Sequence, residues 1–122
     1  MGLSDERRPG ERRPVVKPAA IDALFHALGD PTRRGMLAML ARRTASVSEL
    51  ADHLSISKTA VGQHLAVLEG VSLARSAKKG RVRTCEFDVQ GLATLQEWIE
   101  FHRREWGDRL DRLDTLLEDG EI

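Results

Sequence analysis

Apolar residues begin to recur at helical spacing shortly after Ala19. Ile21, Leu24, Phe25 and Leu28 fall at i, i+3, i+4 and i+7, the single stripe that a helix turns toward a core. Gly29 ends this segment and Asp30-Pro31 opens the next. The aspartate supplies an N-cap acceptor, and the proline stands where its missing N–H costs nothing. Met36, Leu37 and Leu40 carry the core face of that second helix on toward Arg43. The run Ser46-Val-Ser-Glu49 predicts a capping box and a short helix with Val47, Leu50, Ala51 and Leu54 inward. A tight turn at Ser55-Ile56-Ser57 leads to a helix over 58–69, with Ser57 as its cap and Val61, Leu65 and Leu68 as its buried stripe. Lys58, Thr59, Gly62, Gln63 and Ala66 then lie on its other side. Two strand-like segments, 73–77 and 82–87, flank Lys78-Lys79-Gly80-Arg81 and predict a hairpin with a basic tip. From 89 to 118, Leu92, Leu95, Ile99, His102, Trp106, Leu110, Leu113 and Leu117 predict one long helix. Residues 1–17 mix charge with Pro9, Gly10 and Pro14, have no apolar period, and are expected to be a disordered arm. That leaves 18–119 as a single, mainly α domain of about five helices plus a two-stranded hairpin.

Two short helices, a three-residue turn and a hairpin follow the order of a winged helix-turn-helix. In that arrangement the first short helix braces the second, whose outer face enters the major groove of DNA. Such a face must be small or polar so that the backbone can approach the bases. Thr59, Gly62 and Ala66 fit this need, and Lys58 and Gln63 can read base edges. Glycine within a helix costs about 1 kcal/mol relative to alanine, so Gly62 points to a close approach from outside. Ser57, Lys58, Thr59, Gln63 and His64 are the expected groove contacts. Lys78, Lys79, Arg81 and Arg83 are expected on phosphate or in the minor groove.

Charge strengthens that reading once it is resolved along the chain. The net charge is zero, yet residues 31–84 hold ten basic side chains against three acidic ones, and residues 85–122 hold four against eleven. A polyanion is drawn to the middle of this chain and repelled by its last helix. At 122 residues, 41% hydrophobic and 31% charged, the composition is that of a soluble globular domain. No apolar run approaches the length of a membrane span, and the Arg-rich N-terminus lacks a secretory signal. The single cysteine, Cys85, excludes an internal disulfide framework and favours a reducing cytoplasm. No hydrolase triad, phosphate-cradling glycine loop or metalloprotease motif is present, so neither an enzyme nor a cofactor is expected.

The stretches Ala27-Leu-Gly-Asp-Pro-Thr-Arg-Arg34, Ser48-Glu-Leu-Ala51 and Ser57-Lys-Thr-Ala-Val-Gly-Gln-His-Leu65 occur in this order, and the likeness they carry extends over roughly residues 20–118. Together they resemble the ArsR-type winged-helix repressors. The resemblance implies a homodimer built from the first and last helices, a 58–65 helix that reads an operator in double-stranded DNA, and a hairpin wing. Three departures stand out. The Cys-x-Cys pair by which many members bind metals or arsenic is absent from 46–53. The paired histidines that others carry on the last helix are incomplete, because Leu113 occupies the position partnering His102. The family's late glycine before the wing is replaced by Ser72, with Gly70 earlier. No metal site is therefore expected, although His26 and His102 lying near each other across a dimer is a conceivable one, and the inducer stays open.

Ile21, Leu24, Phe25, Trp98, Ile99, His102, Trp106 and Leu110 are the expected dimer interface, since aromatic rings dominate such contacts. Trp98, Phe101 and Trp106 lining a ligand pocket is the less economical account. Cys85 is expected to be buried in the hairpin. A redox role would need exposure and a lowered pKa; Arg83 would favour it and Glu86 oppose it. A winged helix that binds protein instead of DNA would need an acidic or apolar reading face, which this sequence lacks.

Overall fold

A computed structural model describes residues 17–118; the expected arm falls outside them except for Lys17, and so does residue 119. The order is α1 (Pro18–Leu28), α2 (Pro31–Leu40), β1 (Ala45–Ser46), α3 (Val47–Leu54), α4 (Lys58–Gly70), β2 (Ala74–Lys79), β3 (Val82–Phe87) and α5 (Val89–Glu118). This is the winged helix-turn-helix that the sequence predicts, with one addition. The sheet has three strands, ordered β1-β3-β2 and antiparallel throughout. β1 pairs Ala45 with Cys85 and Ser46 with Thr84. Two residues are too few to show an alternating pattern, so this strand left no trace in the hydrophobic periodicity.

Each helix start has a local cause. Asp30 accepts from the Arg33 N–H at 3.0 Å. That bond, with the Arg33 charge beside it, outweighs burial and holds the Asp30 carboxyl below the usual range. The capping box of α3 is complete, with the Glu49 N–H donating to Ser46 Oγ at 3.1 Å and the Ser46 N–H donating to Glu49 Oε1 at 2.9 Å. The Ser46 N–H is the main reason that the Glu49 carboxyl is depressed, and Arg43 at 3.1 Å adds to it. Ser57 caps α4 by accepting from the Ala60 N–H at 3.0 Å.

Two serines end helices in the left-handed conformation: Ser55 after α3, with φ 56°, and Ser72 after α4, with φ 58°. Around Ser72 the Leu73 N–H donates to the Leu68 carbonyl at 2.9 Å and the Ser72 N–H to the Glu69 carbonyl at 3.1 Å. This is the pair of bonds of a Schellman cap, so Ser72 fills the role of the family's late glycine at a conformational cost.

The core lies between α2, α3, α4 and the sheet, with Met36, Leu50, Val61, Leu68, Leu73 and Cys85 as its largest fully buried side chains. Ile21 and Leu24 of α1 belong to it, at 4% and 2% exposure. α5 is seated at its start by Gly91. The Gly91 N–H donates to the Ser72 carbonyl at 2.7 Å, and a Cβ there would stand 2.6 Å from the Val71 carbonyl oxygen and 2.7 Å from that of Ser72. Leu95 and Trp98 then pack on the core. At 30 residues the helix is about 45 Å long, and residues 109–118 are exposed throughout.

Candidate nucleic-acid interface

α3 and α4 pack against each other with Ser55 at the bend between them. The buried stripe of α4 is Val61, Leu65 and Leu68. Lys58, Thr59, Gly62, Gln63 and Ala66 are exposed, as their spacing predicts. Among the described residues nothing lies within 4 Å of a Cβ built on Gly62, so their packing does not require glycine there. Ser57 is exposed as well, but its hydroxyl already serves the helix start.

The wing differs in detail from its expected form. Lys78 and Lys79 are the end of β2 instead of the tip, and Lys79 pairs with Val82 around a two-residue turn, Gly80-Arg81. Gly80 has φ 63°, the conformation that a glycine first in such a turn supplies without strain. Side chains alternate between the two faces of a strand, which divides the basic residues. Lys78 lies opposite Arg83, and the two share a cleft of about 580 Å³ with Arg81, with Lys58 and Gly62 of α4, and with Ser46 and Ser48 at the start of α3. Arg83 Nε donates to Ser76 Oγ at 2.9 Å. Lys79 lies on the other face with Arg75, Thr84 and Glu86. There Arg75 donates to the Glu86 carboxylate, which raises the guanidinium pKa further.

His64 departs from its expected place. Its side chain is only 24% exposed, and Nδ1 lies 3.2 Å from an Arg33 guanidinium nitrogen. Position 64 is three residues after buried Val61 and four before buried Leu68, which turns it toward α2 instead of the open side of α4. Arg33 and Arg34 enter the sequence reading only as part of the family motif and the basic stretch, with no contact assigned to either. Arg33 Nε donates to the Ala27 carbonyl at 2.7 Å, its second terminal nitrogen to that of His26 at 3.1 Å, and Arg34 to that of Leu28 at 2.7 Å. Every helix leaves its last carbonyls without partners, and these two arginines, one turn into the next helix, were the signal.

Along the outer side of α1 and α5 runs an aromatic ridge. Phe25 meets Trp98 edge-on at 5.1 Å, Trp98 meets His102 at 4.4 Å, and His102 stacks on Trp106 at 4.7 Å. Phe25, Ile99, Trp106 and Leu110 are each between 44% and 52% exposed. Ile21 and Leu24, expected in the same patch, spend their surface in the chain's own core. Cys85 is fully buried. Burial raises its thiol pKa, Glu69 adds to the effect, and Arg83 opposes it; the opposing carboxylate is thus Glu69, not the sequence neighbour Glu86. Among the described residues no three His, Cys, Asp or Glu side chains are grouped to hold a metal ion, and no helix is long and apolar enough to cross a membrane.

A bent helix pair with an open, polar second helix, flanked by a cationic hairpin, defines a DNA-binding module of the winged helix-turn-helix class. Residues 28–77 match a family model described as a helix-turn-helix domain. The HTH-type transcriptional regulator YuzN of Bacillus subtilis is 40% identical over 87 residues, covering 65% of this chain and 95% of the relative. The transcriptional repressor SdpR of Bacillus subtilis is 33% identical over 76 residues, 62% of this chain and 84% of the relative. Among solved structures, an ArsR family transcriptional regulator superposes with a TM-score of 0.70 at 34% identity, covering 75% of this chain and 95% of the other. A homodimeric winged helix-turn-helix DNA-binding domain of Mycobacterium bovis shares the fold at 14% identity with a TM-score of 0.57, covering 73% of this chain and 84% of that one. The chain belongs to the ArsR-type family of winged helix-turn-helix transcriptional regulators.

Proposed function

We propose that this regulator is a homodimeric repressor that binds an inverted-repeat operator. The observation that carries the proposal is the half-exposed ridge of Phe25, Ile99, Trp106 and Leu110, on helices other than the one that carries the reading face. Rings left this exposed favour association with a like surface, and two-fold pairing is the commonest way for identical chains to cover one. Two α4 helices related by that axis meet major grooves about one helical turn apart, or a multiple of it. Lys58, Thr59 and Gln63 then read base edges, while Lys78, Arg81 and Arg83 hold phosphates. Lys79, on the outer face of the wing, is a phosphate contact only if the tip enters the minor groove. Occupancy of an operator that overlaps a promoter represses it, which is the activity named for the SdpR relative, and the Mycobacterium bovis neighbour is itself homodimeric.

The test is selection of binding sites from a random DNA pool across a salt series, with sedimentation of the protein alone and with the selected site. A two-fold-symmetric motif bound by two chains, with affinity falling steeply as salt rises, is the expected result. An asymmetric motif bound by one chain overturns the dimeric reading.

A further inference from the structure

We infer that Arg33 and His64 are positioning residues that fix the reading helix against the first helix, and through it set the half-site spacing the protein accepts. The second part rests on the dimeric reading above. The argument starts from the carbonyl end of α1. Arg33 Nε and one terminal nitrogen take the Ala27 and His26 carbonyls at 2.7 and 3.1 Å, and its backbone N–H goes to Asp30 at 3.0 Å. Its remaining terminal nitrogen meets His64 Nδ1 at 3.2 Å. Arg33, itself in the first turn of α2, thus ties the end of α1 to the middle of α4 through one planar guanidinium.

The chemistry fixes the roles. A guanidinium has donors only, so Nδ1 of His64 is the acceptor and the ring proton resides on Nε2. Asp30 Oδ2 stands 3.9 Å from the same nitrogen, too far for a hydrogen bond, so Arg33 is the partner that holds the ring. His64 follows Gln63 directly, in the helix that also carries Lys58, Thr59 and Gly62. α1 carries Phe25 of the proposed dimer face. The Arg33–His64 contact therefore gives a direct polar link from the helix that carries Phe25 to the helix that reads bases.

The experiment uses the full chain with three variants, His64→Leu, His64→Asn and Arg33→Lys. Asparagine places its amide oxygen near the position of Nδ1 and keeps the acceptor, whereas leucine removes it. Lysine keeps the charge but loses the planar fork. Affinity is measured on the selected site, on the same site with one base pair inserted between half-sites, and on random DNA. His64→Leu and Arg33→Lys should lose about tenfold or more on the selected site, the scale of one hydrogen bond to a charged group. They should also discriminate less against the inserted base pair, and bind random DNA as the native chain does. His64→Asn should restore most of the affinity and the discrimination. Nitrogen NMR of His64 should find Nδ1 without a proton and Nε2 with one.

Equal behaviour of His64→Leu and His64→Asn, or a proton on Nδ1, overturns the inference. If the native chain itself ignores the inserted base pair, the dimeric reading and the spacing role fail together. The positioning role is then still judged by the contrast between the two His64 variants and by the ring proton.

Discussion

Replacing Gly91 by alanine isolates the contact that seats the long helix. Intrinsic helix propensity favours alanine by about 1 kcal/mol, so without tertiary contacts the change would stabilise. In the folded chain the new methyl carbon would stand 2.6 Å from the Val71 carbonyl, 2.7 Å from that of Ser72 and 2.8 Å from a Leu73 methyl. Two of these three neighbours are backbone within the Schellman turn, which cannot yield without losing its own bonds. Overpacking of this kind costs about 1–3 kcal/mol. Moving the helix away also gives up the 2.7 Å bond from the Gly91 N–H to Ser72, about another 1 kcal/mol. The net expectation is a loss of about 2 kcal/mol, read as a lower urea midpoint at fixed protein concentration, because the proposed dimerisation would make stability depend on concentration. A Gly91→Ala protein as stable as the native chain, or more stable, would refute the reasoning. Gly62→Ala is the internal control: the same propensity gain applies, nothing among the described residues stands within 4 Å of the new carbon, and stability should rise by about 1 kcal/mol.

That control carries a functional prediction of its own. If the α4 backbone must approach the bases at Gly62, the stabilised protein should bind its selected site more weakly, by fluorescence polarisation, while its affinity for random DNA changes little. Ser72→Gly removes the cost of a side chain in the left-handed region and should raise stability by about 1 kcal/mol in the same urea assay. Arg81→Ala should weaken binding to all sequences and lower the salt slope by about one, whereas Gln63→Ala should relax base preference and leave the slope unchanged; equal effects of both would count against that division. The carboxyls of Asp30 and Glu49 are both depressed in the folded chain. Their stabilisation is fully present above the ordinary carboxylate range and is lost as pH falls through the folded-state values. Acid titration of stability should therefore show a limb that Asp30→Asn together with Glu49→Gln flattens.

Much of this fold is legible in the sequence because its helices are amphipathic and announced by their caps. Asp30-Pro31, Ser46 with Glu49, and Ser57 each act within three residues of themselves, and α2, α3 and α4 begin where these motifs say. The same locality explains what stayed hidden. β1 is held by Cys85 and Thr84, some forty residues away, and two residues have no period. The left-handed Ser72 is written in the bonds of Leu68 and Glu69, not in the preference of serine. Ile21 and Leu24 share one stripe with Phe25, and spacing alone does not say which of them faces the chain's own core and which faces outward. His64 shows the same limit on the functional side. Its place next to Gln63 suggests the groove, while the contact it makes is with an arginine thirty-one residues earlier.

The register of the wing has a consequence for any measurement of binding. Lys78 stands directly across from Arg83, and like charges opposed on neighbouring strands repel. In the unbound protein at low salt the hairpin is thus loosened by its own charge, and a phosphate placed between the two cations turns that repulsion into attraction. Added salt acts twice: it competes for the phosphates, and it also screens the two cations from each other. The second effect tightens the empty wing and favours binding, against the first. If Lys78 and Arg83 hold phosphate as proposed, a salt series on the native protein undercounts the phosphate contacts, and replacing Lys78 by a neutral residue should remove one contact while steepening the share of the slope that each remaining contact carries.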